Sequence, residues 1–117
     1  MWIFLKNSFL SIVQKPDDID TLTVRARIKG DIEAVFPEAK VSEGEGTDYR
    51  FRARIPREIV AKAMQEQVMT LTASNFKASV SERHRHDAYM GVWSVMYDFQ
   101  EGYEAGRSGQ LNGSSHG

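Results

Sequence analysis

Two short segments alternate apolar side chains with arginine. They are residues 22–28, with the sequence LTVRARI, and residues 49–55, with the sequence YRFRARI. An alternation of period two is typical of a β-strand, in which successive side chains point to opposite faces of a sheet. Each segment is therefore predicted to bury its apolar residues on one face. The arginines of both segments then lie on the other face: Arg25, Arg27, Arg50, Arg52 and Arg54.

Composition and charge place the chain among ordinary globular domains. It has 117 residues, of which 41% are hydrophobic and 26% charged. The formal net charge is −1, so attraction for a polyanion has to come from a local patch. Because cysteine is absent, disulfides, thiolate metal sites and cysteine catalysis are excluded. No apolar run approaches the roughly eighteen residues that span a bilayer, and we expect a soluble, cytoplasmic protein without membrane partners.

The remaining elements follow from periodicity and turn residues. Strands are predicted at residues 2–5, 9–14 and 40–43, in addition to 22–28 and 49–55. A short helix is predicted at residues 30–36. A longer one follows Pro56, with an apolar stripe of Ile59, Val60, Ala63, Met64, Val68 and Leu71. A last helix is predicted to be capped by Asp87 and to carry the apolar residues Tyr89, Val92, Trp93, Met96 and Phe99.

The order β-β-β-α-β-β-α-α predicts an α+β fold. We expect a two-layer sandwich, with a mainly antiparallel sheet of about five strands and the helices on one face. Its middle part is partly ferredoxin-like, and the N-terminal hairpin supplies the extra strands. Residues 1–101 are predicted to form a single domain. Residues 102–117 are rich in glycine and serine and are predicted to be a disordered tail.

The five arginines suggest an anion-binding surface, because guanidinium groups pair with phosphate and carboxylate. One hypothesis is RNA or DNA binding on an open sheet face. By their parity Tyr49 and Phe51 fall on the core side, so stacking rings would have to come from Trp2 or Phe4. Two alternatives stay open: an acidic protein partner, and a solvated face neutralised by nearby acids. Those acids are Asp17, Asp18, Asp20, Glu43, Glu45 and Asp48.

A second group of polar residues lies at positions 84–87, with the sequence HRHD. Imidazole titrates near neutral pH and a carboxylate can orient it, so His84, His86 and Asp87 define an enzymatic hypothesis. The spacing argues against a metal site, because side chains two apart on a helix diverge by about 200°. No HExxH, CxxC or paired-carboxylate motif accompanies them. We therefore expect no metal, no cofactor and no catalytic residue.

Several phrases resemble a family of small uncharacterised bacterial and phage proteins. They are MWIFL with FLSIV, GDIE with VFP, DYRFRA, NFK, and RHDAY with VWSVM. The resemblance covers about residues 1–100 and implies a compact, cytoplasmic protein with no catalytic residue to transfer.

By analogy, the first hypothesis is a non-enzymatic interaction protein that binds a protein partner through the basic sheet face or an edge strand. Inhibition of a host defence complex is one form that this hypothesis takes. Nucleic-acid binding and a small enzyme are the alternatives, and self-association is left open.

Overall fold

The structure is a computed structural model that describes residues 1–44 and 46–109. The chain divides into two compact units, Met1–Ser79 and Val80–Gly117. The first unit contains a β-sheet and two helices, and the second contains one long helix. None of the described helices combines the length and apolar character needed to cross a membrane.

All five predicted strands are present, and their ends differ from the prediction by at most two residues. They are β1 (Trp2–Leu5), β2 (Ser8–Val13), β3 (Thr21–Ala26), β4 (Ser42–Glu43) and β5 (Phe51–Pro56). Every pairing is antiparallel, and the order across the sheet is β1-β2-β3-β5-β4. The α+β class and the antiparallel sheet are therefore confirmed.

The strand order has a crossover in its second half. β5 lies between β3 and β4, although β4 comes before it in the sequence. This is how a ferredoxin-like half is arranged, since the second strand of its hairpin inserts beside the first strand of the motif. The β1–β2 hairpin continues the sheet on the other side of β3. The open sheet is thus wide enough for one face to carry a core and the other a surface.

The core lies on a single face of the sheet. Ile12 pairs with Val24, and Val24 pairs with Ala53, so all three point to the same side. The buried cluster on this side consists of Leu10, Ile12, Val24, Ala26, Ile32, Phe36, Ala53, Ile55 and Val60. Ile28 was predicted to join it, but it lies beyond the end of β3 and is exposed. The apolar residues of β3 and β5 therefore face the interior, opposite the arginines of those strands.

Residues 30–36 form a series of turns where the sequence predicts a helix. Two helix-like bonds form, from the N–H of Ala34 to the carbonyl of Gly30 and from the N–H of Phe36 to that of Ile32. The segment is anchored by its contacts with the rest of the unit. Ile32 is fully buried, and the Asp31 carboxylate accepts the N–H of Phe9 at 3.0 Å. Tertiary contacts therefore hold this segment in place, because a helix this short does not maintain regular backbone hydrogen bonds by itself.

The helices of the first unit are α1 (Arg57–Met69) and α2 (Phe76–Ser79). α1 begins after Pro56, as predicted, but its apolar stripe is only partly buried. Val60 is buried, whereas Ile59 and Val68 are exposed and Leu71 lies past the end of the helix. The predicted stripe is therefore only partly correct: Val60, Ala63 and Met64 pack against the core, whereas Ile59, Val68 and Leu71 do not. The four-residue α2 had no counterpart in the sequence prediction.

The helix of the second unit is α3 (Arg83–Gly109), and it is longer than predicted at both ends. The Glu82 carboxylate accepts the N–H of Arg85, so Glu82 has the capping role predicted for Asp87. At the other end, residues 102–109 continue the helix where the composition predicts a disordered tail. Glutamate and alanine favour helix there despite the glycines. Residues 110–117 of the predicted tail lie outside the described residues.

Candidate functional site

One row of side chains crosses the whole sheet on the face opposite the core. Directly paired residues of antiparallel strands share a face. The register pairs Trp2 with Ser11, Ser11 with Arg25, Arg25 with Arg52 and Arg52 with Ser42. We call these five residues the central row. It presents an indole, a hydroxyl, two guanidiniums and a second hydroxyl, spaced about 4.8 Å apart from strand to strand.

The predicted arginine face consists of Arg25, Arg27, Arg50, Arg52 and Arg54, and it is built by β3 and β5. These two strands are neighbours, as the prediction requires. Arg25, Arg52 and Arg54 lie within the strands, whereas Arg27 and Arg50 lie just beyond their ends. The local surroundings divide the five into an outer group of three and an inner pair.

The three outer arginines are paired with carboxylates. The ion pairs are Arg27 with Asp48 at 3.0 Å, Arg50 with Glu43 at 3.4 Å, and Arg54 with Asp17 at 2.5 Å and Asp18 at 3.1 Å. Hydrogen bonding to Arg27 lowers the pKa of Asp48, and hydrogen bonding to Arg54 lowers the pKa of Asp17. The arginine side chains of these pairs remain about half exposed, so each pair contributes little to stability. The positive charge of the three outer arginines is therefore largely neutralised by these neighbouring carboxylates.

The inner pair, Arg25 and Arg52, has no such partner. Within the described part of the chain, no carboxylate oxygen lies within 4.0 Å of either guanidinium. Arg25 donates from Nη2 to the Oγ of Ser11 at 2.6 Å, and the Nε atoms of both arginines are buried without an acceptor. Like charges placed opposite each other on a sheet destabilise the fold, and a buried N–H without a hydrogen-bond acceptor destabilises it further. A bound anion would offset the repulsion between the two guanidiniums.

Tyr49 lies on the arginine side, which corrects the prediction that it faces the core. Its ring is buried, with the Cζ of Arg25 4.5 Å and the Cζ of Arg27 4.1 Å from the ring centroid. β5 begins only at Phe51, so the strand alternation does not extend back to Tyr49. The ring supports two guanidiniums by cation–π contact, and being buried it offers no open surface for stacking.

Aromatic rings on β1 and β2 share the face of the central row. Phe4 and Phe9 are two residues from Trp2 and Ser11, so strand alternation keeps them on the same side. The ring centroids of Phe4 and Phe9 are 4.6 Å apart, and Trp2 meets Phe9 edge-on at 6.1 Å. Trp2 is 66% exposed. The sequence named Trp2 and Phe4 as candidate rings, but it did not assign them to a face of the sheet, and Phe9 was not named. Phe9 lies two residues from Ser11 in the same strand, and this spacing was the signal that places it on the same face.

Arg52 also lines an open groove of about 530 Å³. Lys15, Lys40 and Arg54 line it as well, against the single carboxylate of Asp17. The two lysines come from segments outside the strands, so the alternating pattern carries no sign of them. The groove extends the positive surface from the inner pair toward β4.

Asp18 organises the loop between β2 and β3 beside this groove. Its buried carboxylate accepts hydrogen bonds from the N–H of Lys15 at 2.8 Å and from the hydroxyls of Thr21 and Thr23 at 2.7 and 2.8 Å. The Lys15 and Thr21 bonds are the main causes that lower the pKa of Asp18 to about 2. The carboxylate therefore stays ionised and holds the loop that carries Lys15.

The polar group of the enzymatic hypothesis lies in the other unit, in the first turns of α3. His86 Nδ1 is 3.7 Å from Asp87 Oδ1, and both side chains are partly exposed. His84 is two residues away on the same helix and diverges from His86 by about 200°. Among the residues that the structure describes, no three histidines or carboxylates gather as a metal site would require. Of the three named residues, only His86 and Asp87 are brought together.

No protein-family model, no curated protein and no solved structure matches the chain. The resemblance to small bacterial and phage proteins therefore stays a prediction. Function is inferred from the chemistry of the sheet surface itself, where two guanidiniums and an exposed indole share one row.

Proposed function

We propose that the protein binds single-stranded nucleic acid across the open face of its sheet. The observation that supports this is the central row, in which the exposed Trp2 indole and the inner arginine pair lie on one surface. Single-strand binding surfaces combine these two groups, cations for the phosphates and aromatic rings for the bases.

The inner arginines are the phosphate-binding groups in this proposal. Arg25 and Arg52 are directly opposed, so their Cα atoms are about 5 Å apart and both guanidiniums reach the same phosphate. A charge-assisted hydrogen bond contributes roughly 1.5–3 kcal/mol. No described carboxylate competes for either group within 4.0 Å, so no ion pair has to break before phosphate binds.

The aromatic end of the row is the base-stacking surface. Stacking on an exposed ring contributes about 1–3 kcal/mol per base and tolerates any base, since every base has a π face. Bases within a duplex are stacked on each other and cannot lie flat on Trp2. We therefore propose a preference for single strands with little sequence selectivity.

A protein partner on the same face is the competing hypothesis. An acidic protein would use the guanidiniums, but it would not need a stacking ring at Trp2. The two hypotheses therefore differ in how strongly binding depends on the indole. Bacterial or phage origin and a cytoplasmic location are predictions that belong to either one.

The test is fluorescence anisotropy of a labelled single-stranded oligonucleotide, titrated with the full chain over a range of salt concentrations. The logarithm of the affinity should fall with log salt by about 0.7 for each phosphate contact. Arg52→Glu should weaken binding at least thirtyfold, and Trp2→Ala about tenfold. Lys62→Glu, an equal charge change on the exposed side of α1, is the matched control and should have little effect.

Three outcomes would contradict the proposal. The first is absence of binding at low salt. The second is equal affinity for a duplex of the same sequence. The third is a loss of binding in Lys62→Glu as large as that in Arg52→Glu, which would indicate general charge attraction. Loss in Arg52→Glu with full binding in Trp2→Ala would favour the acidic protein partner instead.

A further inference from the structure

The groove that Arg52 lines is formed by three separate parts of the first unit. These are the middle of β5, with Arg52 and Arg54, the loop after β2, with Lys15 and Asp17, and the segment before β4, with Lys40. The volume of the groove is about 530 Å³. Small-molecule sites are roughly 300–1,000 Å³ in volume, so the groove has room for a phosphate group together with its nucleoside.

Three of the cations that line the groove have no carboxylate partner. In the part of the chain that the structure describes, no carboxylate oxygen lies within 4.0 Å of the Lys15 ammonium, the Lys40 ammonium or the Arg52 guanidinium. Arg54 is different, because two carboxylates pair with it. The four cations and these two carboxylates leave a net charge of +2 at the groove.

Lys15 is held beside the groove by its backbone. Its N–H donates to the Asp18 carboxylate at 2.8 Å, and its carbonyl accepts the N–H of Asp18 at 2.9 Å. The residue is also half-buried, which restricts its side chain before any ligand arrives. A cation that is already positioned loses less conformational entropy when it binds an anion.

The charge of the groove matches a phosphate monoester better than a phosphodiester. A monoester carries a charge of about −1.5 to −2 at pH 7 and presents three acceptor oxygens. A phosphodiester within a nucleic-acid strand carries one negative charge. In such a strand, a monoester is present only at a phosphorylated end.

We propose that the groove binds the terminal phosphate monoester of the single strand that lies across the sheet. This inference rests on the proposed function, because it concerns the end of the same bound strand. Arg52 belongs to the central row and also lines the groove, so the two surfaces are continuous. The strand therefore extends from Trp2 over the inner pair and ends in the groove.

The first test compares three forms of one internally labelled oligonucleotide: with a 5′-phosphate, with a 3′-phosphate, and with hydroxyl groups at both ends. By fluorescence anisotropy, a phosphorylated form should bind the unaltered chain about tenfold more tightly than the hydroxyl form. The end that gives this gain also shows the direction of the strand. In Lys15→Gln with Lys40→Gln, the ratio of the two affinities should fall to about one. Lys29→Gln with Lys62→Gln removes equal charge outside the groove and should keep the ratio.

The outcomes separate this inference from the proposed function. If the hydroxyl form binds but a phosphate at neither end increases the affinity, the terminal site is wrong and the proposed function stands. A gain that persists in Lys15→Gln with Lys40→Gln, or that is lost equally in the control, would also overturn the inference. If the hydroxyl form does not bind the unaltered chain, the proposed function itself fails.

Asp17 provides a second test in the opposite direction. Its carboxylate lines the groove and repels a terminal phosphate, but it has no such effect on a neutral hydroxyl end. Asp17→Asn should therefore raise the ratio of the two affinities about threefold, measured with the same oligonucleotides. An unchanged or lower ratio would mean that the terminal phosphate does not lie in the groove.

Discussion

The inner and outer arginines of the sheet have the same side chain but different surroundings. Arg25 and Arg52 pair directly with each other across β3 and β5, and their other neighbours across the sheet are the hydroxyls of Ser11 and Ser42. The outer arginines form ion pairs with acidic residues: Arg27 with Asp48, Arg50 with Glu43, and Arg54 with Asp17 and Asp18. A residue's position within the sheet therefore determines whether its charge is available to a ligand.

Removing equal charge from the two groups is the strongest test of this difference. The inner variant Arg25→Gln with Arg52→Gln should weaken binding of single-stranded nucleic acid about a hundredfold, since two charge-assisted contacts are lost. The outer variant Arg27→Gln with Arg50→Gln should weaken it less than about threefold, because these groups are already paired. Anisotropy titrations at one salt concentration compare the two. Equal losses would mean that only total charge matters.

Releasing an outer arginine should have a smaller effect in the opposite direction. Asp48→Asn removes the carboxylate that pairs with Arg27 at 3.0 Å and leaves that guanidinium free over the Tyr49 ring. We expect affinity to rise about threefold, while the free energy of unfolding falls by no more than about 1 kcal/mol. Anisotropy and urea denaturation measure the two quantities. Weaker binding would show that the ion pair itself positions Arg27 for the ligand.

The loop beside the groove gives a prediction about stability, which is tested by the pH dependence of the free energy of unfolding. The pKa of Asp18 is about 2 in the folded chain, below its ordinary value of 3.8. The unfolded chain therefore takes up the proton first, and this contribution to stability is lost as the pH falls from about 4 to about 2. Urea denaturation across that range should show a shallower decline for Asp18→Asn than for the unaltered chain. Identical slopes would mean that the carboxylate is not the group responsible.

The sheet was largely predictable because its signals are local. Alternation of apolar residues with arginine located β3 and β5, and it placed Val24 and Ala53 opposite the arginines. The turn residues between the runs separated all five strands. The helix predicted at residues 30–36 was wrong, because a helical pattern of seven residues is too short to maintain a helix against competing tertiary contacts.

The candidate site was predictable only in part. The sequence supplied the five arginines and two of the three rings. It assigned Tyr49 to the core, because it extended the alternation of β5 two residues beyond the true start of the strand. The sequence also gave no means of separating the inner arginines from the outer ones. Several acidic residues lie near the arginines in sequence, but sequence distance does not show which guanidinium each carboxylate contacts in the fold.

By itself, then, the sequence determined where the strands run and which side of β3 and β5 is polar, because a period of two is a property of each segment alone. The tertiary structure decided that Trp2 shares a row with Arg25 and Arg52, and that no described carboxylate oxygen lies within 4.0 Å of this inner pair. Both facts depend on strand order and register. These bring together residues up to 50 positions apart in sequence, such as Trp2 and Arg52, and no local pattern encodes them.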